Sequence, residues 1–437
     1  MELTIEKLIY GGDGLARLPA DEHGRGKAVF VPFVLEGEKI EASLYQQKRG
    51  FARGWAKSVL QTSPHRVEPH CQYFQRCGGC HYQHAGYAHQ LEIKAAILKE
   101  NLLRIAKLEL AAELKIHPSP PWNYRNRTQL KIRTSPDFAI GYYRFNSHEL
   151  FPVEQCPISS PLLNRAITAL WQLGRAGTFG SIAGWQEIEL FANDEDTQLL
   201  IEAYWIPGAP TDSAKQLSEL LLQMLPEVVG VVAFKNSVPD PSGKKIEEPE
   251  EITSAGAKEF TYKTKHASYR VSAGSFFQVN RHLTDELVSI VTNGQSGKTA
   301  LDLYAGVGLF SSVLNREFER VIAVEASQTS HTDLVYNSPA NVKAIRAQTE
   351  QYLKNVAGKL QPDLVVVDPP RSGLGESVVK SLADLEAPRM VYVSCDPATL
   401  ARDLAGLLGA GYRVEQAHLV DLFPQTYHLE SVLHLVR

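Results

Sequence analysis

The chain reads as a multidomain α/β protein with a small N-terminal β-barrel, a central α+β domain and a C-terminal Rossmann-like domain. Three observations predict this. Short alternating strands with turn signals fill the first sixty residues, strands dominate residues 124 to 235, and strands alternate with helices from about 299 onward. The boundaries expected are 1–62, 63–275 and 276–437.

In the first segment LTIEKLIY, KAVFVPF, EKIEASLY and GWAKSVL alternate or run apolar, separated by GGDG, DEHGRG and LEGE. That pattern suits a small OB-like barrel, and Pro64 and Pro69 bracket a linker. Next comes a tight group, Cys71, Cys77 and Cys80. A helix is expected near 86–110, with Leu91, Ile97, Leu98, Leu102, Leu103 and Ile105 leaning to one side, and it can pack on the C-terminal domain. TQLKIRT, FAIGYYR, EIELFA, TQLLIEAYW and VVGVVAFK read as strands, interrupted by helices near 161–175 and 212–225. PDPSGKKIEEPEEITSAGA reads as a long loop. In the last third TALDLY, RVIAVEA, LVVVDPP and MVYVSC alternate with helical LFSSVLNREF and TLARDLAGLLGA, as in a mostly parallel sheet with crossover helices.

The 437 residues allow two or three cores, and the formal net charge of −4 argues against a protein that coats nucleic acid through its overall charge. Local basic grooves remain open. One candidate is Lys115, Arg125, Arg127, Lys131, Arg133 and Arg144; a second is Lys48, Arg49, Arg53 and Lys57. For each, a solvated face is the alternative. No run is apolar enough for a membrane helix and the N-terminus has no secretory pattern, so the expected location is the cytoplasm. In a reduced compartment, clustered cysteines point to metal binding or catalysis before disulfides.

LDLYAGVGLFSSVL reads as a strand, a glycine turn and a helix start, with Gly306 and Gly308 letting the backbone approach a ligand. About twenty residues on, Glu325 ends a second strand, where a carboxylate can accept from ribose hydroxyls. The third glycine of a dinucleotide fingerprint is missing. Together with Asp302 and the later Asp368-Pro369-Pro370-Arg371, this favours adenosylmethionine over NAD.

Ser394-Cys395-Asp396-Pro397 ends another strand. A cysteine there is often core, but Cys395 stops the apolar run at the end of the sheet where ligands bind. A thiolate nucleophile is needed to methylate uracil C5: addition at C6 makes the ring an enolate, and a base then removes the C5 proton. Glu430, in an otherwise apolar C-terminal strand, is the candidate base, with an exposed edge position as the alternative. Asp368 can accept from uracil N3–H.

These residues together resemble the TRAM-domain RNA uracil-5-methyltransferases, over nearly the whole chain. GGDGLAR is similar to the TRAM module, and SFFQVN, DLYAGVGLFS, DPPR, SCDP and HLESV match in order and spacing. The resemblance implies that S-adenosyl-L-methionine is the cofactor, held by Gln278, Tyr304, Gly306, Glu325, Gln348 and Asp368. It further implies that Phe276 stacks on the target base beside Asp368, that Cys395 is the nucleophile and that Glu430 is the base. Leu309 and Gln348 stand where Asn is commoner. Cys71, Cys77, Cys80 and Cys156 are similar to the [4Fe–4S] ligands of the rRNA-directed members, and four thiolates also suit zinc. The expected substrate is RNA, with 23S rRNA favoured and tRNA possible, and the expected state is monomeric. The rival readings are an RNA cytosine-5-methyltransferase, a non-catalytic RNA-binding protein and an iron–sulfur redox protein.

Overall fold

A computed structural model describes residues 1–19, 26–236 and 248–437. The turn expected at DEHGRG, apart from Gly26, and residues 239–247 of the expected long loop lie outside the described residues.

β1 (Glu2–Thr4), β2 (Lys7–Leu8), β3 (Asp13–Arg17), β4 (Ala28–Pro32), β5 (Lys39–Gln47) and β6 (Phe51–Gln61) form one sheet in the order β1-β5-β6-β4-β3-β2. Its two edges, β1 and β2, are neighbours in the chain, so the sheet curls upon itself. Glu6 N–H donates to the Leu15 carbonyl across the gap. Leu3, Ile5, Val29, Val31, Val34 and Ile40 fill the interior. LTIEKLIY is thus two strands, and GGDGLAR, expected to open on a turn, contributes β3.

The central segment holds α1 (Tyr87–Asn101), β7 (Leu114–His117), β8 (Arg127–Arg133), β9 (Ala139–Tyr143), β10 (Leu150–Pro152), α2 (Pro161–Arg175), β11 (Trp185–Ala192), β12 (Leu199–Trp205), α3 (Ala214–Leu222), β13 (Val228–Lys235) and β14 (Glu250–Gly256). Seven of these strands make a sheet ordered β10-β9-β8-β11-β12-β13-β14. β14 corrects the long-loop expectation: the polar EEITSAG pairs along β13 as an edge strand, where exposed polar side chains are tolerated. β7 leaves the central sheet altogether and joins the C-terminal one beside its last strands. In α1, Ile93, Ile97 and Leu98 are buried against the C-terminal domain, but Leu103 and Ile105 are exposed. The helix passes into a π-turn at Leu102–Ala106, whose wider winding rotates the later apolar residues outward.

β15 (Glu259–Lys263) and β16 (Ser268–Ser272) form a hairpin. The C-terminal part runs α4 (Thr284–Thr292), β17 (Gly297–Leu303), α5 (Ser311–Leu314), β18 (Phe318–Glu325), α6 (Gln328–Asn337), β19 (Val342–Arg346), α7 (Thr349–Val356), β20 (Leu364–Val367), α8 (Glu376–Leu385), β21 (Arg389–Ser394), α9 (Pro397–Gly409), β22 (Arg413–Val420) and β23 (Glu430–Val436). The sheet order is β19-β18-β17-β20-β21-β23-β22-β7, parallel from β19 to β21 with β23 antiparallel. β17, β20 and β21 read as continuous apolar runs because helices cover both faces. Among the described residues no helix is long and apolar enough to cross a membrane.

Candidate active site

The reversal of strand order beside β17 opens a crevice at the C-terminal ends of β17, β20 and β21, where open α/β sheets bind ligands. After β17 the chain turns at Tyr304, Gly306 and Gly308, all at positive φ. A Cβ on Gly308 would strike Leu334 at 2.9 Å, whereas one on Gly306 would meet nothing within 4 Å. Gly308 is therefore required by packing, and Gly306 faces open space that a ligand can occupy. The expected helix behind this turn is only the four-residue α5, so a strong helix-terminal field is absent from the cofactor argument.

Glu325 ends β18 and folds back on the turn: Gly306 N–H donates to Oε2 at 2.9 Å and Ser327 N–H to Oε1 at 2.7 Å. Both oxygens are oriented by backbone and each keeps a lone pair for a hydroxyl donor. Tyr304 lies half-buried against Thr349, the residue after Gln348. Gln348 caps α7 through its backbone alone, without a side-chain cap bond. Leu309 is 7 % exposed within the apolar core, so an apolar side chain is accommodated there.

The sheet register brings the chemical residues together. β21 and β23 pair through Ser394↔Ser431. The ladder ends there, and Cys395, the residue after β21, comes near Glu430, the first residue of β23, whose charge acts on it. Asp368 leaves the adjacent β20, its N–H donating to the Leu303 carbonyl. The charges of Glu430 and Asp368 act on Cys395, and Arg371 opposes them. The Cys395 thiol is pushed up to about 12, by burial first and then by those carboxylates. Burial likewise raises Glu430 well above the ordinary carboxylate range, helped by Asp368. Asp368 itself rises to about 7, through burial and then Asp302. Glu430 is 5 % exposed, which excludes the edge-position alternative. Asp396 is a helix cap: its carboxylate accepts from Ala398 and Thr399 N–H at the start of α9, with Pro397 in the first turn.

Residues outside the expected set complete the pocket. The barrel residue Tyr10 donates its hydroxyl to the Cys395 carbonyl at 3.2 Å. His428 sits with both ring nitrogens 3.4 Å from the Arg371 guanidinium. His428 was legible in HLESV; Tyr10 carried no signal, since 385 residues separate it from its partner.

Gln278 is buried, and its carbonyl accepts from Asn126. Phe276 is 63 % exposed and lines a groove of about 410 Å3 with Arg125, Arg127 and Gly274. No hydrogen bond or ring contact given for the described residues joins Phe276 to Cys395 or Asp368.

Cys71, Cys77, Cys80 and Cys156 are free thiols around one cavity of about 80 Å3. Burial pushes Cys77 up to about 12 and raises Cys71 and Cys80, and the charge of Cys156 adds to all three. Cysteines that face one another around a cavity can act together as thiolate ligands when a bound cation balances their charge. Among the described residues no three His, Cys, Asp or Glu converge on one metal-ion position.

Half of the basic stretch 115–144 is paired with carboxylates. Arg127 pairs with Glu189 and Glu202, Lys131 with Glu187 and Arg144 with Glu149. The first three carboxylates come from β11 and β12, strands that the linear charge pattern could not pair with β8.

The sequence matches the tRNA (Uracil-5-)-methyltransferase family model over residues 86–437 and the TRAM domain over residues 1–57. It is 34 % identical to an uncharacterized RNA methyltransferase of Aquifex aeolicus (strain VF5), covering 99 % of this chain and 97 % of that protein. It is 32 % identical to one of Caldanaerobacter subterraneus subsp. tengcongensis, covering 99 % and 96 %. The crystal structure of Pyrococcus abyssi tRNA (uracil-54, C5)-methyltransferase in complex with S-adenosyl-L-homocysteine shares the fold with a TM-score of 0.74, at 24 % identity over 100 % of both chains. The chain therefore belongs to the tRNA (uracil-5-)-methyltransferase family of RNA methyltransferases, with a TRAM domain at its amino-terminal end.

Proposed function

We propose that this enzyme methylates C5 of a uracil in RNA, with S-adenosyl-L-methionine as donor, 23S rRNA as the favoured substrate and tRNA as the alternative. The observation that carries the reading is the gathering of Cys395 and Glu430 at the end of the β21–β23 ladder, with Asp368 close enough to act on both. Glu325, Tyr304, Gln348 and the space over Gly306 would hold the donor, with Gln278 as a further contact. When bound, that cofactor supplies an electrophilic methyl group.

The Cys395 sulfur adds to C6, forming an S–C bond and moving the C5–C6 π electrons into the enolate. C5 then takes up the methyl group, whose bond to the donor's sulfonium sulfur breaks and leaves that sulfur as a neutral thioether. Glu430 accepts the C5 proton, the C5–C6 double bond re-forms and the S–C bond breaks, restoring the thiolate. A carboxylate raised by burial is a stronger base than an exposed one. Asp368 accepts from uracil N3–H, which disfavours cytosine, whose N3 is itself an acceptor. Arg371, the cation that lowers both Cys395 and Glu430, favours the thiolate. Phe276 offers an exposed ring on which a base can stack.

The four-cysteine cavity is proposed to hold a [4Fe–4S] cluster ligated by Cys71, Cys77, Cys80 and Cys156. Methyl transfer needs no electron transfer, so the cluster is given a structural role.

The test uses labelled adenosylmethionine with 23S rRNA and tRNA transcripts. Wild-type protein is expected to form 5-methyluridine. Glu430→Gln is expected to accumulate a covalent RNA adduct, and Cys395→Ala to form neither adduct nor product. An adduct with Cys395→Ala would refute the assigned nucleophile.

A further inference from the structure

A cavity of about 630 Å3 opens between the barrel, the cysteine loop and the turn joining β9 to β10. Tyr10, Arg53, His81, Arg144, Phe145 and Tyr427 line it. The rings form a connected trail. Exposed Trp55 on the barrel meets Phe145 at 5.9 Å between centroids, and Phe145 meets His81 at 6.0 Å. His81 meets Tyr427 at 4.6 Å, and Tyr427 meets Tyr10 at 5.4 Å. Tyr10 then reaches the Cys395 carbonyl, so the trail runs from the barrel surface to the nucleophile. The volume lies in the range of small-ligand sites. Arg53 and Arg144 each have one carboxylate partner, Asp13 and Glu149, at 3.2 and 2.9 Å. Each guanidinium has five donors, so donors remain for a phosphate. Nδ1 of His81 is buried without a hydrogen-bond partner.

We propose that this cavity is a second nucleotide subsite, which takes an unstacked base flanking the target uridine and holds its phosphate with Arg53 and Arg144. The proposal rests on the RNA-methylation reading and adds that the substrate is single-stranded on at least one side of the target. A uracil that must leave its stack to reach Cys395 frees its neighbour, and aromatic faces joined to polar tips capture such bases irrespective of sequence.

The experiment measures the Kd of the full-length protein for 23S rRNA and tRNA fragments carrying one abasic nucleotide at successive positions. In the wild-type protein one position near the target should weaken binding about tenfold. Phe145→Leu keeps apolar volume against Phe33 and removes the ring face. In that variant the same abasic position should change Kd less than twofold. Tyr143→Ala, at an exposed cavity residue, is the second variant if Phe145→Leu does not fold. Equal abasic penalties in wild-type and variant at every position would overturn the subsite. Failure to methylate any transcript would instead refute the reaction, and the binding comparison would still decide the subsite.

Discussion

At the scale of single residues, the pocket gathers carboxyl groups around the sulfur that the proposed reaction requires as an anion. Burial and two carboxylates hold the free thiol protonated, so Cys395 should react slowly with an alkylating reagent near neutral pH, and faster as pH rises. The neighbouring Asp302 is wholly buried, accepts from Ser311 through one oxygen, and has its other oxygen without a partner. Burial raises its pKa from 3.8 to about 7. The native state therefore holds a proton that the unfolded chain releases between those values. The associated stability is present below about pH 4 and lost as pH rises through about 7. Asp302→Asn, which keeps an acceptor for Ser311, should raise the thermal midpoint by roughly 2–4 °C at pH 8 and leave it unchanged near pH 4. Calorimetry across that range checks this; an equal gain at both pH values would contradict the buried-charge account.

At the scale of elements, α1 is the strut that ties the central segment to the catalytic strands. Lys94, wholly buried, pairs with Asp421 and donates to the Phe423 carbonyl at 2.9 Å. Gln90 accepts from Gln425 N–H and donates to its side chain. His81 and Tyr82 N–H, in the cysteine loop, both donate to the Gln425 carbonyl at 2.9 Å. The loop between β22 and β23 is thereby fixed just ahead of Glu430. Lys94→Met leaves an uncompensated buried carboxylate and should cost about 3–5 kcal/mol in urea unfolding. Lys94→Met with Asp421→Leu should recover roughly half of that, because no unpaired charge remains. Equal losses in single and double variants would show that packing, rather than charge, dominates. A buried lysine on an amphipathic helix is not predictable from periodicity, since its partner is 327 residues away.

At the scale of the whole molecule, the three parts converge on one place. The barrel sends Tyr10 to the Cys395 carbonyl, and the cysteine loop grips the segment before Glu430. β7 adds an eighth strand to the catalytic sheet from the middle of the chain. The cysteine cavity joins residues 71–80 to Cys156, closing a long loop around β8, β9 and β10. The cluster proposed for that cavity would stabilise the fold by its binding free energy. Protein purified without oxygen should contain iron and acid-labile sulfide rather than zinc. Cys156→Ala should lose both and melt several degrees lower, measured by metal analysis and thermal unfolding. Zinc in place of iron, or unchanged melting, would contradict the structural role proposed.

The sequence by itself determined most of the element types and the glycine turn and singled out the candidate chemical residues, because strand-end motifs and local turn chemistry need only a few contiguous residues. The apolar runs of β17, β20 and β21 announced a buried parallel sheet, and Glu430 stood out as a charge in an apolar strand. Only the tertiary structure decided which of these meet. Pairing of Ser394 with Ser431 brought Cys395 near Glu430, and cross-strand carboxylates neutralised Arg127 in the basic stretch. A helical pattern after Gly308 came out as the single turn α5, and polar EEITSAG came out as an edge strand. The physical reason is the same in each case. Local composition sets what a segment can form, whereas the free energy of pairing and burial depends on partners that linear spacing does not specify.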